Sequence, residues 1–257
     1  MTTASCMDRR TFLASTAALG VVSLGSVQAA AYEFTPSMAD RYVPGAAKWL
    51  MANFGDVLRA RAHGTRYDVA LLCAIACQES GYAWWRTSFR GNRTAEDVLQ
   101  MLVLDDGPNR SAAKHQTEAG MRATPAYSAL LPSLVVAADA TRDAQGVTAR
   151  KGHLRYGYGL FQYDLDNIRH DPGFWTTTAA SGNGQPFVAS LGQWRSVDAC
   201  ADRLIRVLNR KMEAAGGDLG LAIRYYNGSN AASIKYSVTV RRFAEIIRST
   251  ALAGKRS

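Results

Sequence analysis

Residues 78–82 read QESGY and place a carboxylate, Glu79, directly behind Val69–Cys77, nine apolar residues in a row. A carboxyl set against such a run and followed by Tyr82, Trp84 and Trp85 is shielded from water, and desolvation disfavours its charged form. The pattern also predicts a helix that ends here with Gly81 as the stop, and the carbonyl end of a helix disfavours negative charge. Both effects would keep a glutamate partly protonated near neutral pH, as a general acid requires. The plain alternative is a surface glutamate at a helix end. Two further stretches put polar groups on turns. YGYGLFQYD, 156–164, is aromatic and glycine-punctuated and ends in Gln162, Tyr163 and Asp164. Gly157 and Gly159 predict a tight turn where another group approaches the backbone closely. The full spacing and strand-then-helix setting of a nucleotide fingerprint are missing. IRYYNGSN, 223–230, closes a helix with Tyr225, Tyr226 and Asn227, and Asn227-Gly228 alone is a cap and turn.

The elements that position these groups are helical almost throughout. Residues 37–62 carry one or two helices, broken or restarted near Pro44. Asp68 is a good N-cap for a helix over 69–80. Thr94 caps TAEDVLQMLVL, with Asp97 in its first turn, and the Ala-rich stretch 125–145 is helical. Ser196 caps a helix in which Val197, Ala201, Leu204 and Leu208 keep helical spacing until Gly216-Gly217. Asp218 opens LGLAIRYY, and a last helix runs from about Ser237 to Leu252 with Val240, Phe243 and Ile247 inward. FQYDL and QPFVASL, 161–165 and 185–191, are short extended pieces. A mostly α domain follows.

The N-terminus belongs to a different category. Arg9-Arg10, then FLASTAALGVVSLGSV and VQAAA, form a charged region, a mildly apolar region and a small-residue cleavage site. Residues 1–31 resemble a twin-arginine export signal, cleaved near Ala29 to Ala31, which implies a periplasmic or secreted protein. Residues 32–257 then form one domain, with no later segment suited to a membrane span and no stable membrane insertion after cleavage. Removing Asp8, Arg9 and Arg10 takes one from the formal net charge of +9, and the remaining +8 points to an acidic partner without selecting one. A nucleic-acid partner has only this charge behind it, and the export signal counts against it. Cys73, Cys77 and Cys200 read as buried hydrophobes, with a bridge to Cys200 left open. His63, His115, His153 and His170 lie far apart, no Cys/His pair has zinc spacing, and no cofactor or metal is expected.

Taken in order, Glu79-Ser80, GLFQ at 159–162 and YYNG at 225–228 resemble the goose-type lysozymes and soluble lytic transglycosylases. That superfamily carries ES at the end of a core helix, then GLMQ, then AYN-x-G. The resemblance covers roughly residues 65–250 and implies a lysozyme-like α fold with a sugar-binding cleft. It also implies cleavage of the β-1,4 bond between N-acetylmuramic acid and N-acetylglucosamine in peptidoglycan, with glycan strands as the partner. Glu79 matches the catalytic acid, and Ser80, Gln162, Tyr226 and Asn227 match residues lining the cleft. Among the aromatics Trp84, Trp85, Tyr158, Tyr163, Trp175, Trp194 and Tyr226, we select Tyr158 and Tyr226 as sugar-facing. Asp164 stands where goose-type lysozymes have GLMQVD, and is the second catalytic candidate; Asp166 is less well matched, and a local cap is an equal alternative for Asp164.

The chain departs from the pattern in three places. Gly159 lies 80 residues after Glu79, so about 90–150 look like inserted helices rather than a small sheet. Tyr225 replaces the alanine of AYN, and His153 stands eleven residues before Asp164, where the goose-type pattern has another aspartate. If Asp164 orients a water, the reaction is hydrolysis. If Glu79 acts alone, first as acid and then as base on the muramic acid 6-hydroxyl, a 1,6-anhydro product forms. The incomplete aspartate pair favours the second route; a hydrolytic muramidase and a non-catalytic peptidoglycan-binding module are the alternatives.

Overall fold

A computed structural model describes residues 36–105, 118–175, 192–228 and 230–253. The expected export signal, residues 106–117 of the expected insertion and the extended piece at 185–191 lie outside the described residues. The described chain is mostly α. Its principal elements are α1 (Pro36–Ala62), α2 (Val69–Ala76), α3 (Tyr82–Trp84), α4 (Ala95–Gln100), α5 (Leu131–Gln145), β1 (Gly157–Tyr158), β2 (Tyr163–Asp164), α6 (Val197–Ala214), α7 (Leu219–Asn227) and α8 (Ala231–Ala253). No helix among the described residues is long and apolar enough to cross a membrane.

The chain divides into two compact units, one drawn from 36–90 with 197–253 and the other from 91–196. The expected single domain with an insertion over about 90–150 differs from this division, because GLFQ falls in the second unit. The physical reason is backbone pairing. Tyr156 N donates to Asp105 O at 2.7 Å, Gly159 N to Leu102 O at 2.8 Å and Leu104 N to Gly157 O at 3.1 Å, so the GLFQ turn is built on residues 102–105.

In the first unit the apolar run becomes α2, buried from Ala70 to Ala76. Its N-terminus is held by Asp68, whose carboxylate accepts from Leu71 N at 2.8 Å. α2 packs against α1 and α8; α8 packs on α1 and α7, and α6 on α1 and α7. Pro44 does not break α1. A proline removes one backbone donor, but Tyr42, Val43, Ala46, Ala47 and Leu50 are all buried around it, and their packing holds the helix continuous. α8 begins at Ala231 rather than near Ser237. Asn230 caps it, accepting from Ser233 N at 3.1 Å through its side chain and from the Ser233 hydroxyl at 2.6 Å through its backbone carbonyl.

In the second unit β1 and β2 form a two-residue antiparallel ladder, with Gly157 opposite Asp164 and Tyr158 opposite Tyr163. α5 anchors the approach to it. Buried Arg142 donates to His153 O at 2.8 Å and pairs with Asp139, whose carboxylate also accepts from Gly152 N at 2.9 Å. Buried Arg155 donates to Val103 O at 2.9 Å and to Gln145 Oε1 at 2.8 Å. Buried guanidinium groups are costly unless each donor finds an acceptor, and here they tie α5, residues 153–155 and Val103 together.

Candidate active site around Glu79

α2 does not stop at Gly81. Cys77–Gly81 widen into a π turn, and the helix resumes over α3. A π turn within a helix marks a place where something intrudes on the regular hydrogen-bond ladder. Here it is Tyr42 of α1, whose hydroxyl donates to Cys77 O at 2.6 Å. A Cβ on residue 81 would lie 2.0 Å from that hydroxyl oxygen, while Gly81 itself keeps the ordinary helical φ of −57°. The glycine is therefore needed for space and not for a left-handed stop. The expected helix end behind Glu79 is corrected with it: Glu79 stands inside a continuing helical run, and no exposed carbonyl end acts on it.

Burial, the other expected influence, is present. Glu79 is 9 % exposed. Its Oε1 accepts a 2.6 Å hydrogen bond from the hydroxyl of Tyr236 on α8, which is itself buried. Tyr226, near the end of α7, sets its ring 6.1 Å from that of Tyr236. Burial first, and then the Glu79 charge, push the Tyr226 phenol well above its ordinary value, so it remains a neutral hydrogen-bond donor through neutral pH. A carboxyl removed from water, bonded to one phenol with a second phenol beside that one, can give up and take back a proton at a fixed place.

The other expected site residues have diverse surroundings. Ser80 is fully buried; its Oγ accepts from Trp84 Nε1 at 3.0 Å and donates to Ala76 O at 3.4 Å. The expectation that it lines a cleft is corrected: its hydroxyl ties α3 to the π turn. Asn227 is exposed at the last residue of α7, ahead of Gly228 at φ +124°. Tyr158, Gln162 and Asp164 belong to the second unit. Tyr158 is fully buried, edge-on to Trp194 at 5.2 Å and to Trp175 at 6.3 Å, so the expectation of a sugar-facing ring meets a packed one. Gln162 takes φ +49° and folds its amide back, donating to Gly159 O at 2.8 Å and Leu102 O at 3.1 Å. The group that approaches the glycines is thus Gln162 itself, since a Cβ on Gly157 would lie 2.4 Å from its Oε1. Asp164 caps the 3-10 turn Leu165–Arg169 by accepting from Asp166 N at 2.9 Å.

Of the six other tryptophans and tyrosines from which the sugar-facing rings were selected, Trp85 is 42 % exposed, Tyr163 is part-buried, and Trp84, Tyr158, Trp175 and Trp194 are buried. Cys73, Cys77 and Cys200 are free thiols and buried, without the bridge that the sequence left open. Burial pushes the Cys73 thiol up to about 12 and the Cys77 thiol well above its ordinary value. Among the described residues no group of three or more His, Cys, Asp or Glu stands together as a metal site. Tyr236 and Tyr42 are the two residues that sequence reasoning missed. Asn230, three residues before Ser233, is the signal that could have extended α8 backward over Tyr236. No protein-family model, curated protein or solved structure matches the chain.

Proposed function

We propose that the chain is an exported enzyme with a lysozyme-like fold that cleaves the β-1,4 bond between N-acetylmuramic acid and N-acetylglucosamine in peptidoglycan, as a lytic transglycosylase. One observation carries the reading: a buried glutamate in a π turn with a tyrosine hydroxyl 2.6 Å from its Oε1 and a second, neutral tyrosine nearby. Burying a carboxyl is costly, α2 needs none for its packing, and such groups concentrate where protons are transferred. Protonated Glu79 gives its proton to the glycosidic oxygen as the bond to the anomeric carbon breaks. The resulting carboxylate then takes the proton of the muramic acid 6-hydroxyl, whose oxygen closes on the anomeric carbon to give the 1,6-anhydro end. This restores the acid and needs no second carboxylate. The capping task of Asp164 and the histidine at position 153 favour this route over hydrolysis. The formal charge of +8 left after cleavage of an export signal at 1–31 suits an anionic wall polymer.

The test compares wild type with Glu79→Gln on purified sacculi, reading turbidity and the masses of released muropeptides. The amide oxygen can still accept from Tyr236, so binding and melting temperature should change little. Release should fall at least about 10²- to 10⁴-fold, the contribution of general acid–base catalysis. Fragments should carry anhydro ends; reducing ends abolished by Asp164→Asn would instead favour a muramidase. Lysis by the variant at the wild-type rate would remove the enzymatic reading, and binding without release by either protein would favour a wall-binding module.

A further inference from the structure

Every residue of the π turn but one has a visible task. Cys77 offers its carbonyl to Tyr42, Glu79 accepts from Tyr236, Ser80 holds Trp84, and Gly81 leaves room for the Tyr42 hydroxyl. The exception is Gln78. It is 6 % exposed, and its Oε1 is buried with no hydrogen-bond partner among the described residues. A buried carbonyl left unpaired lowers stability, and native structures seldom keep one without a use. Gln78 immediately precedes Glu79 in the same π turn, so the two side chains leave the helix as neighbours around its axis. The missing partner must be a hydrogen-bond donor. An N-acetylated glycan offers such donors along its length, in acetamido N–H groups and ring hydroxyls.

We propose that the side-chain carbonyl of Gln78 is a saccharide-binding group that accepts a hydrogen bond from an acetamido N–H or hydroxyl of the glycan whose glycosidic oxygen meets Glu79. The inference rests on the reading of Glu79 as a proton donor to a glycan. It makes residue 78 a determinant of substrate affinity, separate from proton transfer. A glycan presenting a donor at that point gains a hydrogen bond there, and one presenting none gains nothing, so residue 78 favours the first by the worth of that bond.

The experiment uses the full chain and Gln78→Met, which keeps length and removes the acceptor. Affinity for a soluble N-acetylglucosamine oligomer is read by calorimetry, release from sacculi by kinetics, and stability by melting. Gln78→Met should weaken oligomer binding and lower kcat/KM by about ten- to a hundred-fold, chiefly through KM. Its melting temperature without glycan should equal or exceed the wild type's, because an unpaired carbonyl has been removed. Should Gln78→Met fail to fold, Gln78→Asn, which withdraws the carbonyl by one methylene, should show the same loss of affinity. Unchanged affinity and KM in a folded variant, with or without a change in melting temperature, overturn the role of Gln78. If wild type cleaves sacculi while the variant does so equally well, only this inference falls. If wild type neither binds the oligomer nor releases fragments, both readings fall.

Discussion

Replacing Gly81 by alanine separates two opposite expectations. In an exposed helix with ordinary dihedrals, Gly→Ala stabilises by about 1 kcal/mol, and Gly81 has such dihedrals, φ −57° and ψ −31°. The tertiary environment predicts the reverse. The new methyl would lie 2.0 Å from the Tyr42 hydroxyl oxygen and 3.2 Å from Trp84 Cζ2. Overpacking of this kind costs about 1–3 kcal/mol, and displacing Tyr42 would strip the Cys77 carbonyl of its 2.6 Å donor, about 1–3 kcal/mol more. Against the propensity gain, the net is a loss of about 3 kcal/mol, or roughly 6–12 °C in melting temperature for a chain of this size. A double-mutant cycle with Tyr42→Phe isolates the cause. Without the hydroxyl, the nearest Tyr42 atom is Cζ at 3.2 Å, so the added methyl should cost only about 1 kcal/mol in that background. Urea midpoints for wild type, both single variants and the double variant give the coupling. A Gly81→Ala protein as stable as wild type, or an equal cost in both backgrounds, would refute the close approach and with it the account of why the π turn carrying Glu79 exists.

Tyr236→Phe removes the donor to Glu79 without opening a large cavity; a hydrogen bond to a charged group is worth about 1.5–3 kcal/mol, so fragment release should fall about ten- to a hundred-fold at near-constant KM, read from sacculus kinetics. Asp68→Ala should cost about 1–2 kcal/mol at neutral pH by removing the α2 cap. Burial pushes that carboxyl up, but the Arg248 guanidinium and the Leu71 N–H outweigh it and hold it below the usual range. The stability it supplies is therefore present above pH about 4 and lost as pH falls through its folded value, so the gap between variant and wild type in urea should close in acid. The thiols of Cys73 and Cys77 and the phenols of Tyr67, Tyr156, Tyr158 and Tyr226 are all raised by burial. An unfolded chain loses these protons first, so stability should be level through neutral pH and decline above pH about 8.5, steepening near 10, in denaturation curves taken at successive pH values. At pH 8, thiol reagents followed by peptide mapping should label Cys73, Cys77 and Cys200 only after denaturant is added.

Local chemistry was legible in the sequence because its partners lie three residues away or fewer. Asp68, Thr94 and Asp218 accept from the backbone N–H groups of Leu71, Asp97 and Leu221, and each cap was readable from its residue type and place before an apolar-periodic run. The buried course of α2 followed from nine consecutive apolar residues, and the selection of Glu79 followed from a carboxylate where that run gives out. Asn230 was equally local and was missed because Asn227-Gly228-Ser229 reads as a turn that continues past it. What only the tertiary structure decided is the identity of long-range partners. Tyr42 is 35 residues from the Cys77 carbonyl it meets, and Tyr236 is 157 from Glu79. Gly81, read as a stop, is a clearance for a side chain from another helix, and GLFQ pairs with residues 102–105. Such contacts are chosen by how helix faces pack, and a helix face presents many side chains at equivalent spacing. Sequence periodicity therefore marks which face turns inward without naming the atom it will touch.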